Sequence, residues 1–154
     1  MTLRIAPARP SDLDALVALE EAAFPGDRMS RRALARNINS PSLCFLVARD
    51  GKALIGHALV AFRSGSSLAR LYSLAVLPGL TGQGLGRKLL AAAERQARQR
   101  GADRLRLEVR ADNTAAIRLY DKTGYALFAR VPDYYEDGQA ALRYEKALSR
   151  KGSR

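Results

Sequence analysis

Three groups of residues in this sequence have types and spacings that could do chemistry. The first is a glycine-rich run, Pro78-Gly79-Leu80-Thr81-Gly82-Gln83-Gly84-Leu85-Gly86-Arg87-Lys88. It follows the apolar stretch Leu71-Tyr72-Ser73-Leu74-Ala75-Val76 and opens a segment of helical spacing. A helix start carries unpaired N–H groups and a partial positive charge of about half a unit, so it binds anions. Gly82, Gly84 and Gly86 allow the main chain to approach a ligand without side-chain collision, and Arg87 and Lys88 add charge. Glycine spacing alone is equally a flexible turn. A strand before it and a helix after it are the context a phosphate site requires, and they favour the phosphate reading. The dinucleotide-binding fold fits less well, because this turn sits mid-chain after hairpin-linked strands rather than at the first strand of a βαβ unit.

The second and third groups lie downstream. Glu108 shares one face of an alternating segment with Arg104, Arg106 and Arg110, while Leu105, Leu107 and Val109 take the other. On its own terms it is a solvated glutamate paired with arginine. Asn113, Ile117 and Tyr120, spaced i, i+4, i+7, share one helix face. Asn113 reads as the cap of that helix and Tyr120 as a core aromatic. Tyr134-Tyr135-Glu136-Asp137-Gly138 reads as an acidic hairpin loop. His57, the one histidine, follows Gly56 in a strand and reads as structural; Cys44, the one cysteine, reads as a buried core residue.

The elements that must position these groups follow from periodicity. Residues 3–6 are predicted to form a strand closed by Pro7 and Pro10. Ser11, with Asp14 three residues on, predicts a capped helix start. Leu13, Leu16, Val17 and Phe24 keep helical spacing until Pro25-Gly26, and a second helix is expected over 30–38. Segments 43–49, 53–62 and 68–76 read as strands parted by Asp50-Gly51 and Ser64-Gly65-Ser66-Ser67, both hairpin signals. A long helix over 85–100 carries the stripe Leu85, Leu89, Ala93, Ala97 and ends at Gly101. A strand at 105–109, a short helix over 113–122 stopped by Gly124, and strands at 125–130 and 141–148 complete the chain. This order predicts an α/β fold of mixed α+β type. About seven strands form a central mixed sheet with helices on both faces. Residues 1–149 are expected to be one domain, with 150–154 a basic, disordered tail.

Composition narrows the classes. With 154 residues, 47 % hydrophobic and 27 % charged, the chain suits a soluble globular domain. One cysteine excludes an internal disulfide or a cysteine-held zinc, and no metal is expected. No run reaches the roughly 18 apolar residues of a membrane span, and residues 1–14 do not read as a secretory signal. A cytoplasmic location, without membrane partners, is the simplest expectation. The formal charge of +11 would attract phosphates of any kind. Its arginines are spread along the chain without a nucleic-acid motif, so solvated faces plus one phosphate site are favoured over a nucleic-acid surface.

The strand, glycine turn and helix resemble the cofactor motif of the GNAT acetyltransferase superfamily. The family pattern is Arg or Gln, two residues, Gly, one residue, then Gly or Ala, and it falls here on Thr81-Gly82-Gln83-Gly84-Leu85-Gly86. Thr81 departs from it at the first position, where Gln83 or Arg87 could compensate. The similarity runs from Arg4-Ile5 to Leu148 and is most pronounced towards the bacterial ribosomal-protein-alanine N-acetyltransferases. Glu-Glu-Ala-Ala-Phe-Pro (20–25), residues 72–90, Leu-Arg-Leu-Glu-Val-Arg-Ala-Asp-Asn through Gly-Tyr (105–125) and Tyr134–Gly138 carry it. Those enzymes usually place a tryptophan just after the proline, and this chain has none.

The resemblance implies that the fourth and fifth strands splay apart to admit the pantetheine arm of acetyl-CoA, the expected co-substrate. Leu74, Ala75 and Val76 would bond to that arm through their backbones, with Gly82, Gln83, Gly84, Leu85, Gly86, Arg87, Lys88 and Asn113 also holding the cofactor. It makes Glu108 the proton acceptor and Tyr120 the proton donor. It puts Phe24, Tyr134, Tyr135 and Glu136 along the acceptor groove. The implied activity is acetyl transfer to a primary amine by direct attack in a ternary complex, most favourably at a protein or peptide N-terminus. Lysine, a small-molecule amine (polyamine, amino acid, antibiotic) or a non-catalytic acetyl-CoA or RNA-binding module are the alternatives. The chain is expected to act as a monomer or homodimer.

Overall fold

The structure, a computed structural model, describes residues 2–148; the expected basic tail at 150–154 lies outside the described residues. Seven strands are present: β1 (Leu3–Pro7), β2 (Leu43–Asp50), β3 (Ala53–Phe62), β4 (Leu68–Val76), β5 (Arg104–Arg110), β6 (Ala126–Val131) and β7 (Ala141–Ala147). Four α-helices accompany them: α1 (Leu13–Ala23), α2 (Arg31–Ile38), α3 (Leu85–Gln99) and α4 (Thr114–Lys122). The strands form one sheet in the order β1-β2-β3-β4-β5-β7-β6. Every pairing is antiparallel except β4 with β5. The β2–β3 and β3–β4 hairpins turn at Gly51 (φ 60°) and Gly65 (φ 79°), where an L side chain would be strained.

Alternation along the strands feeds two cores. On one face Leu85, Leu89, Ala93 and Ala97 of α3 and Tyr120 of α4 pack with Ile55, Val60, Leu71, Leu105 and Leu107. On the other, Leu16 and Leu19 of α1 and Leu34 of α2 pack with Phe45, Val47, Leu59 and Ala75. The predicted cap at Ser11 is corrected by the structure. The chain enters α1 through a short 3-10 turn at Pro10–Asp12, and the Asp12 carboxylate accepts from the Arg9 N–H at 2.7 Å. Pro10, with its fixed φ, starts the turn one residue early. The Arg49 guanidinium then holds both Asp12 oxygens at 2.7 Å and lowers the pKa of that carboxyl.

The sheet opens in the middle. β4 and β5 pair only from Leu68 opposite Arg104 to Leu71 opposite Leu107. The β3–β4 register slips at the same level: Val60 faces Leu71 and Leu59 faces Ser73, leaving Tyr72 as the extra residue. A bulge of this kind bends its strand and increases its twist, which turns the end of β4 away from β5. Beyond it, β5 remains paired with β7 through Glu108 opposite Arg143 and on to Arg110 opposite Ala141.

A buried polar pair braces the helical layer beside this opening. Glu20 of α1 and His57 of β3 are 1 % and 0 % exposed, with Oε2 and Nε2 2.7 Å apart. The other Glu20 oxygen accepts from the Met29 N–H at 2.7 Å, tying down the segment between α1 and α2. His57 is thus structural, as its sequence position suggests. Among the described residues no helix is long and apolar enough to cross a membrane. Removing one member of such a buried pair leaves the other without compensation, so Glu20→Ala is expected to lower unfolding stability by about 3 kcal/mol. Denaturant titration checks this, and an unchanged midpoint would contradict the bracing role.

Candidate functional site

The glycine turn leads from the end of β4 into α3. Gly84, at φ 78°, is the N-cap of α3 and supplies no side chain to bond the first-turn amides. The N–H groups of the first turn therefore stay free of side-chain caps, and no acidic residue lies among them. Gly82 and Gly84 both adopt positive φ, and a Cβ added at either would meet nothing within 4 Å, so the cradle faces open space. Gly86 serves differently. It is helical, and its Cβ would come within 3.4 Å of Leu119 Cδ2 on α4, so it permits close packing of the two helices.

The other residues of the turn divide by role. Leu85 is buried in the core and offers the site only its backbone. Arg87 and Lys88 are exposed and form no ion pair among the described residues, whereas the Thr81 hydroxyl donates to the Pro78 carbonyl at 3.1 Å and is spent within the turn. Gln83 is exposed. Leu74, Ala75 and Val76 lie on the end of β4, where no strand pairs with them on the β5 side. Asn113 caps α4, its Oδ1 accepting from the Ala116 N–H at 3.1 Å. Its amide NH2 makes no bond among the described residues.

Glu108 lies in β5 just past the point where β4 leaves. One carboxylate oxygen, Oε2, accepts from Arg143 Nε at 2.6 Å, and the Tyr134 phenol also lies against this carboxylate. The arginine partner expected for Glu108 therefore exists, but it comes from β7 across the ladder rather than from β5 itself. Contact with this carboxylate raises the pKa of the Tyr134 phenol. Tyr135 is raised too, first by burial and then by the Glu108 charge.

Tyr120 is buried, its ring edge-on to Tyr125 at 5.7 Å and tilted against Tyr144 at 6.1 Å. Its hydroxyl makes no hydrogen bond to another described residue, and burial alone pushes its pKa far above the usual tyrosine value. The phenol is therefore protonated throughout the neutral range, a form that donates and does not supply a negative charge.

The segment after α1 and the loop between β6 and β7 are joined by one side chain that periodicity ranks no higher than its neighbours. Arg110, the last residue of β5, pairs with Asp137, with Asp112 at 3.2 Å and with Asp27 at 3.8 Å, and its guanidinium lies 4.9 Å from the centre of the Tyr135 ring. It thereby links the segment after α1 to the loop between β6 and β7. Tyr134 stands edge-on to Tyr135 at 5.1 Å. Glu136 is exposed on that loop, whereas Phe24 packs partly into the core beneath α1 and α2. Of the three carboxylates converging on this arginine, Asp112 is two residues away, but Asp27 and Asp137 come from distant sequence positions that no local pattern could have revealed. Among the described residues, no three His, Cys, Asp or Glu side chains gather to hold a metal.

Comparison with known proteins gives this arrangement its relatives. The model of the acetyltransferase (GNAT) family matches residues 13–125. The [Ribosomal protein bS18]-alanine N-acetyltransferase of Escherichia coli is 36 % identical over 120 residues, 75 % of this chain and 75 % of its own length. The crystal structure of the ribosomal-protein-S18-alanine N-acetyltransferase from Escherichia coli superposes with a TM-score of 0.86 at 28 % identity, covering 99 % of this chain and 97 % of that one. An uncharacterized protein of Mycobacterium leprae is 33 % identical over 130 residues, 82 % of this chain, yet the chain spans only 35 % of that relative's length.

The tyrosine environment has a direct spectroscopic consequence. A phenol whose folded pKa exceeds its unfolded value near 10 contributes stability that is complete below that pH and declines above it. Of six tyrosines, Tyr120 should ionise only when the protein unfolds. Tyr120→Phe is therefore expected to leave the tyrosinate absorbance of the folded protein unchanged up to about pH 11. Loss of a full tyrosine's share of that signal would contradict its burial.

Proposed function

Because the chain belongs to the acetyltransferase (GNAT) family, we propose that it transfers an acetyl group from acetyl-CoA to the α-amine of a protein or peptide N-terminus. The observation that carries this reading is the uncapped glycine entrance of α3 beside the parting of β4 and β5. The residues there fit a polyphosphate thioester. The amides of Leu85, Gly86 and Arg87 would hold the diphosphate with help from Arg87 and Lys88. The unpaired edge of β4 at Leu74, Ala75 and Val76 would bond the pantetheine amides, with the Asn113 NH2 available as a further donor. The relatives named as ribosomal-protein-alanine N-acetyltransferases support the choice of a protein amine.

Bound acetyl-CoA supplies an activated acetyl thioester; the chain's own residues do the rest. A peptide α-amine has a pKa of about 7.7–8.0, so most of it is protonated and non-nucleophilic at neutral pH, and a lysine amine near 10.4 is far worse. Glu108, whose Oε2 is held by Arg143, would accept the amine proton on its other oxygen, directly or through one water. A backbone N–H near Ala75 or Val76 would polarise the thioester carbonyl. The buried Tyr120 hydroxyl would donate a hydrogen bond to the departing sulfur. Its raised pKa favours stabilising a thiolate by hydrogen bonding over complete proton transfer. Arg110 would hold the two acceptor-side segments together through Asp27 and Asp137.

Release of CoA with a panel of peptide N-termini, lysine peptides and small amines tests the activity. α-Amine peptides are expected to turn over best; turnover confined to small amines would overturn the acceptor assignment. Glu108→Gln and Tyr120→Phe are each expected to lower kcat by about a hundredfold while leaving acetyl-CoA affinity nearly unchanged. Wild-type turnover in both would remove these roles. Gly84→Val, which strains a left-handed position and fills the cradle, is expected to weaken acetyl-CoA binding instead.

A further inference from the structure

We propose that the arginine-lined cleft beside Glu108 is a subsite for a carboxylate on the acceptor, namely an acidic side chain at the second or third residue of the peptide. The inference rests on the reading of the chain as a peptide α-amine acetyltransferase, and it names the kind of peptide. The helices α1 and α2 pack over β2, β3 and the end of β4. The same face of β5 and β7 lacks such a covering layer and presents Arg104, Arg106, Glu108, Arg143 and Glu145. Tyr72 and Phe128 stand 64 % and 48 % exposed.

Arg110, at the far end of this face, is neutralised by its three aspartates; around Arg70 and Arg106 the charge is out of balance. Arg70 of β4 and Arg106 of β5 are register neighbours in the parallel ladder, and like charges side by side on a sheet are unfavourable unless an anion joins them. Glu145 is shared between Arg106 at 2.5 Å and Arg104 at 3.2 Å, and Glu108 is held by Arg143. Arg70 pairs with no carboxylate among the described residues. Four guanidiniums therefore face two carboxylates, and Arg70 is the one left over.

A cleft of about 100 Å³ lies between these groups, lined by Arg70, Arg106, Leu107, Glu108, Phe128 and Arg143. It has roughly the volume of three water molecules, enough for a carboxymethyl or carboxyethyl group. The Phe128 ring sits 4.8 Å from the Arg106 guanidinium carbon and supports it. A planar guanidinium suits a carboxylate because it can donate two parallel N–H bonds.

This anion site is separate from the glycine entrance. Ala69 and Leu71 face the α3 core, so the intervening Arg70 points to the opposite face of the sheet. The arrangement is also dipolar. Glu108 would attract an ammonium group while Arg70 attracts a carboxylate, which matches an N-terminal amine followed closely by an acidic side chain. A nucleic-acid backbone, bulkier and without an amine, matches neither the size nor the negative member of the pair.

Steady-state acetylation of three peptides alike except at the second and third residues tests the subsite: Ser-Glu-Glu, Ser-Gln-Gln and Ser-Lys-Lys. At about 0.1 M salt the acidic peptide is expected to exceed the glutamine peptide in kcat/KM by about tenfold or more, and the advantage should shrink as salt rises. Arg70→Gln should bring that ratio towards one, and Arg70→Glu should favour the lysine peptide. The ratio reads preference independently of any general loss of activity. A wild-type ratio near one, a ratio indifferent to both substitutions, or turnover of free glutamate in place of the peptides overturns the subsite. Calorimetry with the unreactive acetyl-Ser-Glu-Glu peptide reads binding without chemistry. Binding that is lost in Arg70→Glu, with no amine turned over, would sustain the subsite and overturn the activity. Turnover without acidic preference would do the reverse, and absence of both binding and acidic preference also overturns the subsite.

Discussion

The site depends on a backbone constraint: β4 and β5 stop pairing after Leu71 and Leu107. Buried main-chain N–H and C=O groups must find partners, and leaving a sheet unzipped at its centre is costly unless something else bonds the exposed edge. Here the opening is forced from one side by the extra residue Tyr72 in β4 and maintained from the other by β5 keeping its register with β7. The edge so freed runs straight into the glycine entrance of α3. An extended ligand with amides in its middle and phosphates at one end, as proposed for acetyl-CoA, would satisfy both halves at once.

The remaining features build on that opening. Glu108 lies on β5 just past the level where β4 stops pairing, and Arg143 across the ladder holds one of its oxygens. Tyr120 stays protonated because it is buried, packed against Tyr125 and Tyr144. Gly86 lets α3 approach Leu119, which brings α4 and hence Tyr120 close to the start of α3. On the other face, Glu20 anchors the segment after α1 through Met29, and Arg110 joins it to the loop between β6 and β7. Local sequence, packing and chemistry thus meet along one seam.

Periodicity carried most of this fold. The hairpins at Asp50-Gly51 and Ser64-Gly65, the α3 stripe, and the alternation of β5 are local patterns, and each element was legible to within a residue or two. The α1 start departs from the cap expected at Ser11 because Pro10 opens a 3-10 turn and Asp12, rather than Ser11, accepts from the Arg9 N–H. Glycine spacing pointed to the cradle but could not separate Gly86, which faces Leu119, from Gly82 and Gly84, which face open space. The bulge at Tyr72, the Arg143 partner of Glu108, the Glu20–His57 pair and the Arg110 hub are all products of register and tertiary contact. None leaves a periodic trace.

The most direct test of the central claim is amide hydrogen exchange with and without acetyl-CoA, resolved by residue. Exchange is expected to slow at Leu74–Val76 and at Leu85–Arg87 on addition of the cofactor, with the far edge at β1 and β2 unchanged. Unaltered exchange in both segments, or protection confined to some other part of the sheet, would contradict the account.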